Sequence, residues 1–216
     1  MTTPANPSET RRASAEPAGR RERKKSETRQ ALRAAAVRLV AERGFDAVTI
    51  EDITDAADVS VRTFFNYYGS KEQALTAADP DRLARLRAAL AERPAAEAPL
   101  EALRAVLIAD TEELSGRHDA WLTQLAVIRT DPRLLAALAA SWFELERELA
   151  AGLADRAGTR GSGDAAEVLA ATAVAVLRVA IRRWRQDTTE SLTTILGRCF
   201  DTLPTAAGFG APAGRS

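Results

Sequence analysis

Residues 49–75, TIEDITDAADVSVRTFFNYYGSKEQAL, gather the side chains of this sequence best suited to touching a polyanion. Arg62 offers a planar guanidinium that can donate two hydrogen bonds at once, the geometry that matches guanine O6 and N7. Val61, Thr63 and Asn66 stand beside it, one apolar and two hydrogen-bonding neighbours for base edges. Ser60, Tyr67 and Lys71 add hydroxyls and an ammonium, groups that hold phosphate oxygens. Thr49 either caps a helix with its hydroxyl or donates it to a phosphate. Upstream, residues 20–43 hold nine basic side chains against the three acids Glu22, Glu27 and Glu42. Arg20, Arg21, Arg23, Lys24 and Lys25 are the densest part. The whole chain has a formal net charge of zero, so this basic stretch is a local footprint of the kind a phosphate backbone requires. A flexible, solvated tail is the alternative use of the same charges.

Other chemistries are poorly provided for. One cysteine, Cys199, and one histidine, His118, occur in 216 residues. An intrachain disulfide and a cysteine-based zinc site are therefore excluded. Residues 158–163, GTRGSG, lack the Lys-Ser/Thr that completes a phosphate-binding loop. No nucleophile–base pair is evident, so the expectation is a protein that is not an enzyme and carries no cofactor. Residues 1–30 contain no apolar signal segment. The longest apolar run, 168–181, is broken by Arg178 and is shorter than the ~20 residues of a membrane span. A cytoplasmic protein without membrane association is expected.

The elements that must position these side chains are helical. Ala and Leu dominate the apolar residues and β-branched runs are scarce, which predicts an all-α fold of about nine helices. Leu32, Ala36, Leu39 and Val40 share one face of a first helix over 26–43, stopped by Gly44. Thr49 with Asp52 forms a capping box for a short second helix. Asp58-Val59-Ser60 reads as a tight turn, with Ser60 capping a third helix from Val61. Gly69-Ser70 breaks the chain again before a fourth. Three short helices joined this way are a helix-turn-helix arrangement, expected over 20–78. Asp79-Pro80 and Asp131-Pro132 are start signals for longer helices, and a larger helical domain is expected over 79–203. Residues 1–19 and 204–216 are rich in Pro, Gly, Ser, Thr and Ala and are expected to be disordered.

The string over residues 49–75 resembles the DNA-binding domain of the TetR family, and the likeness extends over 24–77. It implies a transcription regulator, a repressor by family default, that reads double-stranded palindromic operator DNA as a homodimer and is released by a small-molecule effector. It also implies that Tyr67 faces phosphate with Lys71 beside it. Arg62, Val61, Thr63 and Asn66, near the start of the third helix, are the candidates for the major groove. The run Arg20–Lys25, with Arg23, Lys24 and Lys25, is the candidate for an arm along the backbone or in the minor groove. Three positions depart from the common family pattern. Asp58 replaces a glycine, Phe65 a tyrosine, and Arg62 a glycine or proline. A helical adaptor whose helix-turn-helix does not bind DNA is the alternative.

The C-terminal half, through residues 144–158 and 175–184, resembles more loosely the regulatory domain of the mycofactocin-associated branch. That likeness implies an acyl-CoA-type effector, with Leu103, Leu107, Trp121, Leu125, Ile128, Trp142 and Phe143 as candidate pocket lining. Arg178, set in an apolar run, needs an anion if buried: a ligand carboxylate or phosphate, or Glu144 or Glu146. Leu169, Ala173, Leu177, Ile181 and Trp184 form a stripe that either meets a second copy or packs within one chain.

Overall fold

The computed structural model describes residues 7–115, 118–158, 163–187 and 189–203, with side chains from residue 20 onward apart from 114, 115 and 118–122. The remaining residues, including the expected C-terminal tail, lie outside that description. Ten helices and no strand occur among the described residues. They are α1 Pro7–Arg43, α2 Ile50–Ala56, α3 Val61–Phe65, α4 Lys71–Thr76, α5 Pro80–Ala91, α6 Pro99–Ser115, α7 His118–Ile128, α8 Pro132–Ala157, α9 Gly163–Trp184 and α10 Leu192–Asp201.

Helix α1 starts well ahead of residue 26, inside the segment 1–19 where composition predicts disorder. Arg11, Arg12, Ala13, Ala15 and Glu16 are good helix formers. Extending an existing helix also avoids the nucleation cost that an isolated segment would face. Gly44, at φ 85°, ends α1 and donates its N–H to the Val40 carbonyl. That conformation is open to glycine at little cost.

The chain divides into two compact units. The first comprises residues up to Ala77 together with Leu122–Ala137, so the end of α7 and the start of α8 belong with the N-terminal helices rather than with the domain expected over 79–203. Its core is Leu32, Ala36, Leu39 and Val40 of α1, Ile53 of α2, Phe64 of α3 and Leu75 of α4. Leu125, Val127, Ile128 and Leu134 are buried as well. The Gln124 amide donates to the Leu75 carbonyl at 2.5 Å, fixing α7 to the end of α4.

The second unit comprises Ala78–Trp121 and Leu138 onward. Its core takes Leu83, Leu86 and Leu90 from α5, Leu103 and Leu107 from α6, Leu145, Leu149 and Leu153 from α8, and most of one face of α9. Arg82 grips Asp110 with both Nε and a terminal nitrogen, tying α5 to α6 through a largely buried carboxylate. Arg156 of α8 donates to the carbonyls of Arg93, Pro94 and Glu97, tying α8 to the α5–α6 connection.

Helices α5 and α8 meet at Gly152. A Cβ there would stand 2.9 Å from the Arg87 carbonyl oxygen and 3.0 Å from Leu90 Cβ. Alanine would gain about 1 kcal/mol of helix propensity, but overpacking against backbone costs ~1–3 kcal/mol. Gly152→Ala is therefore expected to lower stability by roughly 1 kcal/mol net, measured as an earlier urea midpoint at unchanged slope. A later midpoint would show that α5 and α8 separate freely.

Candidate nucleic-acid interface

The helix-turn-helix is assembled from local hydrogen bonds. Thr49 caps α2: its Oγ1 accepts from the Asp52 N–H at 3.1 Å and donates to Asp52 Oδ2 at 2.7 Å, while the Thr49 N–H donates to that same carboxylate oxygen at 2.8 Å. These bonds, the backbone one first, hold the Asp52 carboxyl below the usual carboxylate range. The Thr49 proton is thus given to Asp52, which favours the capping role over a phosphate contact. Asp58 takes φ 52° in the turn, the left-handed conformation a glycine would otherwise supply. Ser60 then caps α3 by accepting from the Thr63 N–H, and the Ser60 and Thr63 hydroxyls lie 2.9 Å apart. Ser70 caps α4 in the same way.

Within α3 the burial alternates sharply. Phe64 is fully buried against the core, whereas Arg62, Phe65 and the adjoining Asn66 are exposed. Val61 and Thr63 are half-buried. Four residues after Phe64, Tyr68 is buried and its hydroxyl donates to the Arg29 carbonyl at 3.1 Å. Tyr67 is half-buried, with the Arg29 guanidinium 5.8 Å from its ring centroid. Arg23, Lys24 and Lys25 are exposed on α1. The basic run 20–25 is therefore a helical extension rather than a loose arm.

Lys71 has a partly internal task. Its Nζ donates to the carbonyls of Phe45 and Val48 at 2.6 and 2.5 Å and lies 4.1 Å from the centroid of the Phe45 ring. The Arg133 guanidinium approaches the same ring at 4.5 Å, and its nitrogens bond Asp131 and Asp46. Those two carboxylates, Asp131 first, raise the guanidinium pKa above its ordinary value. Nothing in the sequence around Pro132 flags this contact, because it depends on tertiary proximity across many residues.

The other expected site residues separate. Leu103 and Leu107 are buried on α6, and Trp142 is half-buried on α8. Leu125 and Ile128 are buried in the N-terminal unit. The Trp121 side chain lies outside the described residues. Phe143 is 69% exposed, so it faces out of its unit rather than lining an interior. Arg178 is also exposed, and the expectation that it needs a buried anion falls with that. Ala173, Leu177, Ile181 and Trp184 are buried and Leu169 half-buried. Their stripe belongs to the side of α9 that packs with α6 and α10, and it is core in one chain rather than a free dimer face. The outer side of α8 and α9 instead exposes Phe143, Ala154, Val168 and Ala171 beside an open groove of about 580 Å³.

Residues 32–78 match the family model described as bacterial regulatory proteins, tetR family, and residues 97–208 match that of the MftR C-terminal domain. The chain belongs to the TetR family. The HTH-type transcriptional regulator TcmR of Streptomyces glaucescens is 36% identical over 197 residues, covering 86% of each chain. A Mycobacterium tuberculosis protein named as a mycofactocin biosynthesis transcriptional regulator, MftR, is 31% identical over 189 residues, covering 84% of this chain and 91% of that one. Among solved structures, the TetR-family repressor FadR of Thermus thermophilus, in complex with lauroyl-CoA, is 27% identical with a TM-score of 0.52. The match covers 87% of this chain and all of that one. Bacillus subtilis FadR shares the fold at 16% identity and a TM-score of 0.52. As a TetR-family member the chain is a DNA-binding transcriptional regulator and not an enzyme. No helix among the described residues is long and apolar enough to cross a membrane.

In this TetR-family domain Lys71→Met keeps an unbranched, largely apolar stem but removes the ammonium that donates to two carbonyls. Hydrogen bonds to charged groups contribute ~1.5–3 kcal/mol each, so the variant is expected to lose about 2–3 kcal/mol of stability. Thermal unfolding in the absence of DNA measures it. An unchanged melting temperature would assign Lys71 to phosphate contact alone.

Proposed function

We propose that this protein is a repressor that binds a palindromic operator as a homodimer and leaves it when an acyl-CoA-type effector binds. The observation that carries the DNA-reading part is exposed Arg62 in the first turn of α3, a short helix held by its Ser60 cap and by buried Phe64. Arg62 reads a guanine, with Val61, Thr63 and Asn66 as neighbours in the groove, while Tyr67 and the basic residues Arg23, Lys24 and Lys25 meet the backbone. Replacing Arg62 by Ala is expected to cost about 1–3 kcal/mol on the selected site and little on random duplex, read by fluorescence anisotropy. An equal loss on both would remove base reading by Arg62.

One such unit spans only a few base pairs, so useful selectivity needs two copies on symmetric half-sites. The outer face of α8 and α9 serves for pairing. Exposed Phe143 and Val168 are large apolar groups left to solvent in one chain, and the alanines 150, 151, 154, 166 and 171 let helices approach closely. Phe143→Glu is expected to reduce the mass in light scattering from twice 23.2 kDa to the single-chain value. A variant that stays dimeric would move the interface elsewhere.

The effector class is supported by the 27%-identical FadR bound to lauroyl-CoA and by the match to the MftR-type C-terminal domain. The acyl chain would enter the apolar interior of the C-terminal unit, whose core includes Leu103 and Leu107. Lauroyl-CoA titrated into the protein–DNA complex is expected to release the duplex. Retention at saturating lauroyl-CoA, with DNA binding intact, would remove the effector assignment and leave the DNA-binding one standing.

A further inference from the structure

Phe65 is the large apolar side chain that the helix-turn-helix leaves in solvent: it is 54% exposed while its neighbour Phe64 is fully buried. Its ring is not loose. Phe64 meets it edge-on, with centroids 5.5 Å apart and planes at 86°. It stands three residues after Arg62, so both project from one side of α3. A phenyl ring has no donor for a phosphate oxygen, and it gains nothing by remaining in water. In the major groove the apolar feature on base edges is the C5-methyl group of thymine.

We infer that Phe65 is a specificity-determining residue that reads a thymine methyl beside the guanine read by Arg62. The inference rests on the DNA-reading part of the function proposed above. The two residues are offset along the helix by ~4.5 Å, at 1.5 Å per residue. That is close to the ~3.4 Å spacing of successive base pairs, so the thymine lies one or two base pairs from that guanine. Phe64 sets the orientation of the ring in advance, so little side-chain freedom is lost on contact.

The test uses duplexes selected from a random pool by the full-length protein. Each thymine of the selected site is then replaced, one at a time, by deoxyuridine, which keeps the hydrogen-bonding edge and removes the methyl. The expected result is one thymine per half-site whose replacement weakens binding about four-fold, the factor that corresponds to ~0.8 kcal/mol for one buried methyl-sized group. Phe65→Ala should bind thymine and uracil duplexes equally, with the wild-type slope of log affinity against log salt. Phe65→Leu, which keeps an apolar reach, should retain part of the discrimination. Circular dichroism checks that both variants keep the helical fold. The inference is overturned if no single replacement matters to the wild type, or if Phe65→Ala keeps the wild-type thymine-to-uracil ratio. It also falls if Phe65→Ala weakens all duplexes alike with that ratio unchanged, the sign of a sugar or backbone contact. Loss of sequence preference in Arg62→Ala alongside such a failure would leave base reading by Arg62 in place. A full-length protein that selects no sequence at all would overturn both.

Discussion

The carbonyls of Phe45 and Val48 lie in the turn between α1 and α2, where no helix supplies them with donors. Lys71 supplies both from the first residue of α4, with its charge resting near the Phe45 ring. Helices α2, α3 and α4 have seven, five and six residues, too short to be stable by propensity alone. Their relative placement must come from tertiary bonds and a small shared core. The ammonium of Lys71 closes the loop formed by the other elements: α1 leads into the turn, the turn into α2 and α3, and α4 returns to the turn. Phe64 and Tyr68 fill the interior of that loop, and Arg62 and Phe65 are what remains outside. The reading surface is thus a by-product of how the loop is closed.

This explains which parts were legible in the sequence. Caps are written in two residues a few positions apart, so Thr49 with Asp52, Ser60 with Thr63 and Asp79-Pro80 can be read directly and recur in the structure. The left-handed turn at Asp58 is equally local. Burial on α9 was harder, because a helix with apolar residues around most of its circumference does not say which side meets its own chain. The stripe from Ala173 to Trp184 satisfies the core, and the smaller alanine-rich side is left over. Arg178 misled for a related reason: an arginine among apolar neighbours in sequence is not among them in space when it lies on the outer side of the helix.

The residues 122–137 show the limit of reading a chain by segments. They follow the long helices of the second unit in sequence, and their apolar pattern resembles those helices. Their partners are nevertheless the Leu75 carbonyl, Phe45 and Asp46. The ion pair between Arg133 and Asp46 is exposed on both sides, and exposed pairs contribute little. The burial of Leu125, Val127, Ile128 and Leu134 carries most of the attachment instead. Arg133 adds direction rather than strength, since a guanidinium tied to Asp131 and facing the Phe45 ring fixes where the start of α8 sits on the turn.

Lys71 and Arg133 therefore act on the same ring for different reasons. Lys71 is half-buried and donates to two carbonyls of the turn, so its loss removes a charged donor from within the fold. Arg133 is half in solvent and its partner Asp46 is exposed, so that carboxylate can be solvated when the pair is lost, whereas Asp131 is largely covered. Loss of the first contact lowers the stability of the helix-turn-helix. The second adds an exposed, directional contact that contributes less to stability. Stability and direction are thus divided between two cations that meet at Phe45.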